Sequence, residues 1–316
     1  MKASSALTKE EIKSLTRLSN SKGFQAVLTT WFLIAGSFAL CIYYPSILSY
    51  GVALVILGGR HLALAILMHD ASHYSLFRTR WMNDFFGKWF CAYPTWQDLK
   101  RYRVHHMSHH KFAGSNKDPD LALVAPFPVS KKSLVRKLIR DIVGISGLRR
   151  IYGIVLMDIG RIQYTVSSDV VWLDQKERSI KDISLTALKN LHGVFITNLI
   201  LYLVLHLLGH SWLYLLWVGS YLTTFSLFLR VRSIAEHACT RMGLDALDNT
   251  RTTAANLFAR LTVAPHYVNY HLEHHIIMTV PSFNFKKMHK MLLERGALEN
   301  AFLADGYIEV LKQAVK

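Results

Sequence analysis

Cysteine is scarce: Cys41, Cys91 and Cys239 are all the chain has, too far apart for a Cys-x-x-Cys zinc or redox motif. An odd count also argues against a disulfide framework, so the chain fits a reducing compartment. Acidic residues are few, with 21 Asp and Glu against 37 Lys and Arg, a formal net charge of +16. Charged residues together reach only 18%, below the ~25% of an ordinary soluble domain. Apolar residues make up 51% and mean hydropathy is +0.21, which excludes disorder as a description of the whole. No Pro/Ser-rich linker divides the 316 residues, and no signal-peptide core stands directly behind the first methionine.

What is present in excess is apolar length. Phe24–Met68 contains one charge, Arg60, and one histidine, His61. A single span needs ~20 apolar residues, so this stretch predicts two helices, about 24–44 and 47–68, with a turn at Pro45-Ser46. A second stretch, Leu191–Leu229, is broken at Gly209-His210-Ser211 and predicts two more, about 191–208 and 212–229. Tyr43, Tyr44 and Tyr50, and Trp212, Tyr214 and Trp217, stand where interface aromatics belong. The segment Trp81–Trp96 is too polar to span and predicts an interfacial or re-entrant helix.

Basic residues concentrate in the segments 100–190 and 230–316, and the two short connections have none. The positive-inside rule therefore places both termini and the blocks at about 69–190 and 230–316 in the cytoplasm. Leu134, Leu138, Ile142 and Ile145 are spaced as on an amphipathic helix, and another such run follows Phe285. The predicted fold is all-α: one multi-pass membrane domain over residues 1–316, four transmembrane helices in two hairpins under a cytoplasmic helical cap. With the charge beside spans, membrane lipids and an acidic protein are better partners for it than nucleic acid. Arg60, late in a span, is expected to pair with an acid of the cap.

Sixteen histidines are far above the number expected, and several are patterned. His69-Asp-Ala-Ser-His73 is His-x-x-x-His. His106-Met-Ser-His109-His110 and His271-Leu-Glu-His274-His275 are both His-x-x-His-His. Residues three and four apart share a helix face, so each box aims two or three imidazoles at one spot. One box alone reads equally well as solvated polarity. Three boxes beside the cytoplasmic ends of spans are a metal site, because clustered imidazolium repels itself and unpartnered neutral imidazole is costly near lipid. Eight imidazoles exceed the four ligands of one tetrahedral zinc, so two metals are implied. Imidazole alone leaves Zn, Cu, Fe and Ni open. Asp70, Glu236 and Glu273 stand beside histidines as ordinary solvated acids or as acceptors for the second imidazole N–H. His192, His206 and His210 occur singly and read as helix or interface residues.

At these boxes the sequence resembles the membrane fatty acid desaturase superfamily. The resemblance extends to Tyr102-Arg103 before the second box and Asn116-Lys117-Asp118-Pro119-Asp120-Leu121 after it. Asn269-Tyr270, Val280-Pro281 and Met288-His289 flank the third box, as in bacterial members, and the likeness covers roughly residues 25–295. It implies two iron ions held by His69, His73, His106, His109, His110, His271, His274 and His275, with His237 as the further ligand preceding the third box. His105 offers a competing register for the second box, but the Tyr-Arg spacing favours His106. His271 replaces the glutamine of front-end desaturases, and no His-Pro-Gly-Gly cytochrome b5-like segment is present.

The reaction so implied is O2-dependent oxidation of a fatty acyl chain, foremost desaturation to a C=C bond. Hydroxylation and decarboxylation to a terminal alkene are alternatives on the same fold; a zinc hydrolase and a metal transporter are remote. An apolar tunnel is expected to present the methylene pair to the irons. Two electrons would come from an external donor, ferredoxin foremost, or a cytochrome or rubredoxin, with its reductase. The expected location is a bacterial inner membrane with the active site facing the cytoplasm.

Overall fold

Among the described residues four helices are long and apolar enough to cross a membrane, and the rest are shorter. The computed structural model describes residues 3–167 and 169–316, and among these the only sheet is one short parallel pair. The helices that place the site are α1 (Asn20–Tyr43), α2 (Ile47–Ser72), α3 (Leu99–Phe112), α4 (Lys131–Ile142), α5 (Ile145–Asp158), α6 (Ile180–Leu207), α7 (Tyr214–Leu222), α8 (Thr224–His237), α9 (His271–Ile276) and α10 (Phe285–Glu294). Strand β1 (Arg251–Thr253) pairs with β2 (Phe302–Ala304).

Helix starts follow local chemistry. Ser19, Ser46, Asp98 and Ser130 each accept a hydrogen bond from the backbone N–H three residues on, and Ser179 forms a reciprocal capping box with Asp182. The helices outrun the apolar stretches that announced them. α2 continues past Met68 to Ser72, α6 begins at Ile180 rather than near Leu191, and the fourth span runs from Ser211 to His237. An α-helix satisfies its own backbone in lipid and in water alike, so the bilayer edge does not end it.

α2 is the central post. Gly58 lets it close on α8: a Cβ there would stand 2.1 Å from Thr224 Oγ1, and Thr224 itself donates to the Leu54 carbonyl at 2.7 Å. Both short connections lie at one end, where Tyr50 meets Trp212 edge-on and Cys41, Leu205 and Leu213 share a core. His69 lies 22 residues along α2 from Ile47, roughly 33 Å of rise, so the histidines gather at the opposite end. Among the described residues Arg60 pairs with no acid. Its guanidinium donates to the Leu261 carbonyl at 2.8 Å, because Gly59 brings that backbone against the helix and leaves its carbonyls in need of donors.

α4 and α5 form a hairpin against α8, joined at Gly144, whose φ of +83° suits a residue without Cβ. Leu134 packs near Ile234 and Ala238, Asp141 pairs with Arg230, and Gly147 abuts Leu222, so the hairpin runs along α8 to the end of α7. Its amphipathic face divides: Leu134 and Leu138 join the core, whereas Ile142 and Ile145 at the turn stay exposed. The 81–96 segment is a chain of short helical turns with Trp81, Phe85 and Phe90 exposed. The third box and α10 close over the end of the bundle around Leu272, Val280, Met288 and Leu292.

Candidate metal centre

Four elements deliver the histidines. The last turn of α2 carries His69, with His73 as its C-cap; α3 carries His106, His109 and His110; His237 ends α8; α9 is little more than His271, His274 and His275. All nine converge, and they do so in two groups. His69, His73, His106, His110 and His274 form one; His109, His237, His271 and His275 form the other. Within each, the potential ligand atoms lie within 4.8 Å of one another.

The boxes do not each serve one spot. His109 and His110 are neighbours in sequence but separated by ~100° around the helix, and they go to different groups. His274 and His275 divide in the same way. The (i, i+4) pairs His69/His73, His106/His110 and His271/His275 stay together. Adjacent box histidines thus bridge two sites that share a wall, with the rings of His110 and His275 4.3 Å apart.

Inside each group the nitrogens face each other without enough protons to satisfy them. His110 Nε2 lies 3.0 Å from His106 Nε2 and 2.9 Å from His274 Nε2, and His271 Nε2 lies 2.8 Å from His237 Nε2. The Nε2 atoms of His69, His73 and His275 are buried without a hydrogen-bond partner among the described residues. The far nitrogens are anchored. His69 Nδ1 meets Asp70 at 3.0 Å, His109 Nδ1 meets Asp118 at 2.8 Å, and His237 Nδ1 meets the Asn249 carbonyl at 2.8 Å. His271 Nδ1 lies 3.5 Å from Glu236. An Nδ1–H that donates outward leaves the Nε2 lone pair pointing inward, the arrangement of metal-bound imidazole. The donor set therefore fits a bound cation in each group.

Protonation agrees. Burial, reinforced by neighbouring histidines, holds His106, His271, His274 and His275 far below the ordinary imidazole value. Burial likewise brings His73 to about 4 and His110 to about 2. His109 goes the other way: burial lowers it, but the hydrogen bond to Asp118 and the charges of Asp120 and Asp118 raise it further. Neutral rings are what a metal requires.

The other side chains singled out by the sequence divide between the site and other partners. Glu273 turns away from both groups, accepting from Thr252 Oγ1 at 2.5 Å and lying 2.5 Å from His289 Nδ1, because it projects from the side of α9 opposite the cluster histidines. Glu236 serves Arg232 at 2.6 Å as well as standing near His271. His105 lies outside the groups and meets Asp120 at 2.8 Å. Asp118 and Asp120 belong to the site's support, although the sequence offered them only as a motif flanking the second box. Their spacing of nine and fifteen residues from His109 and His105 needs the turn after α3 to bring them back. His192 sits against Trp89 and Tyr93, apart from the metal groups.

Beside the clusters, between α8 and the α4–α5 hairpin, lies a cavity of about 520 Å³. His106, His109, His237 and His271 line one part of it. Its walls are mixed rather than the apolar tube expected: Ser226, Arg230 and Ser233 of α8 face it along with Leu229. A second, strongly apolar cavity of about 420 Å³ lies between α6 and α7, lined by Leu191, Phe195, Leu199 and Trp217.

The fold and these two groups define a class: an integral membrane protein with histidine clusters that could hold metal at one end of its spans. A fatty acid desaturase family model matches residues 45–304, and the chain belongs to that family. It is similar to dihydrorhizobitoxine desaturase of Bradyrhizobium elkanii, 26% identical over 251 residues that cover 78% of this chain and 68% of the relative. The protein is an oxidoreductase of desaturase type, and its family uses iron, a fatty acyl substrate and an electron donor.

Proposed function

We propose that the protein inserts a C=C double bond into a carbon chain with O2 and two electrons from an external donor, at a pair of iron ions held by the nine histidines. The observation that carries this reading is the division of those histidines into two adjoining groups with inward-facing Nε2 atoms. His69, His73, His106, His110 and His274 would hold one ion; His109, His237, His271 and His275 the other. Bound irons would supply the oxidising power for an unactivated C–H bond. The chain's residues supply geometry: Asp118, Asp70, Glu236 and the Asn249 carbonyl orient the rings, and the neighbouring cavity holds the substrate against them.

The basic blocks favour a cytoplasm-facing site with both termini on that side. Lys131, Lys132, Arg136 and Arg140 flank an apolar groove with Val135 and Ile139 on α4, a basic rim suited to an acidic donor such as a ferredoxin, steered by charge. A transporter is disfavoured because the histidines gather at the helix ends rather than at the bilayer midplane. A single-zinc hydrolase is disfavoured because five histidines share one group. The test is metal analysis of purified protein together with mass spectrometry of lipids and volatiles from an expressing host. Two irons per chain and an O2-dependent loss of two hydrogens are expected. One zinc, or activity that persists without O2, overturns the proposal; a product gaining oxygen or losing carbon dioxide would replace desaturation by hydroxylation or decarboxylation.

A further inference from the structure

The cavity beside the histidine clusters carries cations that no carboxylate among the described residues neutralises. Four acids line it, and each is engaged: Asp118 by His109, Asp120 by His105, Asp141 by Arg230 and Glu236 by Arg232. Arg149 and Arg150, also in its wall, have no carboxylate partner among the described residues. Arg149 is exposed to solvent, whereas Arg150 is held in place. Its guanidinium stacks 4.6 Å from the ring centres of both Tyr221 and Phe225. One Nη donates at 2.6 Å to the Tyr221 carbonyl, which the break at Thr223 frees from the helix ladder. Its Nε is buried with no partner.

Capping the Tyr221 carbonyl occupies one nitrogen of a planar fork and explains the position of the side chain. It leaves the second Nη, which is not buried, without a hydrogen bond among the described residues. A guanidinium half withdrawn from water, rigidly stacked, with free N–H directions is a receptor for a planar anion. Position along α8 sets the scale: Phe225 and His237 are 12 residues apart, roughly 18 Å of helix rise, so the cation and the clusters occupy opposite ends of one cavity. A purely hydrocarbon chain end would leave that charge buried against methylenes, at a cost it need not incur in the apolar cavity beyond Tyr221.

We propose that this cavity takes a chain ending in a free carboxylate, with the carboxylate on Arg150 and the distant carbons beside the histidine clusters. This rests on the substrate cavity assigned above, and it deepens that reading to a substrate class: a carboxylic acid rather than an ester or thioester. Arg150 is a specificity-determining residue in this account, with Arg149 adding charge at the same wall.

The test is equilibrium binding of radiolabelled dodecanoate to the full-length protein in detergent, in competition with unlabelled methyl dodecanoate, without reductant so that no turnover occurs. The free acid should bind about tenfold or more tightly than the ester, the worth of a charge-assisted hydrogen bond. Arg150→Gln should abolish that preference while ester binding stays the same, and Arg150→Lys, which keeps a donor for the Tyr221 carbonyl, should retain part of it. Equal binding of acid and ester by the wild type overturns the proposal, as does a preference that survives Arg150→Gln. Should Arg150→Gln fail to fold, Arg150→Lys decides: an undiminished preference counts against the fork. Because binding is read without chemistry, a protein that prefers the acid yet never desaturates would refute the reaction and not the subsite.

Discussion

Asp118 lies 2.8 Å from His109 Nδ1, and that one contact settles which nitrogen of His109 faces the second histidine group. Asp118 is itself buried and its Oδ1 also accepts from the Asp120 backbone N–H at 2.9 Å, so the carboxylate is held from two sides. Asp118→Ala is expected to weaken metal binding about 10–100-fold, the usual cost of losing such a support. Iron titration of the purified variant reads this, and unaltered affinity would remove Asp118 from the site.

The two groups should lose metal separately. His274→Ala removes a nitrogen from the five-histidine group, and His271→Ala one from the four-histidine group. Each variant should fall from two irons per chain towards one and lose O2-dependent turnover while still inserting in the membrane. If either single replacement leaves both ions in place, the ligand division drawn here is wrong.

Glu273 should behave as a stability residue. It is fully buried and is met by Thr252 and His289 at 2.5 Å each. Glu273→Ala leaves those two groups without their acceptor, a penalty of about 1–3 kcal/mol. The thermal midpoint should drop with iron content unchanged; iron loss with an unchanged midpoint would place Glu273 at the metal instead.

Gly58 and Thr224 test the helix contact that aligns His69 with His237. A methyl group at Gly58 would meet Thr224 Oγ1 at 2.1 Å and the Phe225 backbone nitrogen at 2.8 Å, so Gly58→Ala should destabilise by about 1–3 kcal/mol. Thr224→Gly in the same chain should recover part of the loss, since the two changes share one space. Additive losses in a thermal melt would show that the clash is not there.

The N- and C-terminal segments are tied by Arg295, whose guanidinium donates to both Glu11 oxygens, at 2.5 and 2.8 Å. That hydrogen bond, with the Thr8 backbone N–H, lowers Glu11 from 4.5 to about 2. A depressed carboxyl contributes stability above its unfolded value and loses it as pH falls through the folded one. Glu11→Gln should therefore lower the midpoint at pH 7, with the difference closing as the pH falls from about 4.5 towards 2. A difference that is constant with pH would mean the pair does not hold in solution.

Composition and periodicity alone determined that this chain has four helices apolar and long enough to cross a membrane, is helical throughout its described core and carries eight box histidines fit for metal, whereas His237 entered through the family resemblance. Long apolar runs and i, i+4 spacings are local properties, written in consecutive residues. The partition of those histidines was also latent in helix geometry, since neighbours such as His109 and His110 point ~100° apart, but only packing shows that a second group stands where His109 points. Tertiary structure alone gave Asp118 and Asp120 to the site, turned Glu273 towards Thr252, and brought Arg60 to backbone carbonyls. In each case the deciding partner comes from a different element or across a turn. Which side chain meets which across a helix interface depends on how closely the backbones approach, as Gly58 and Gly59 allow here, and linear order does not record that distance.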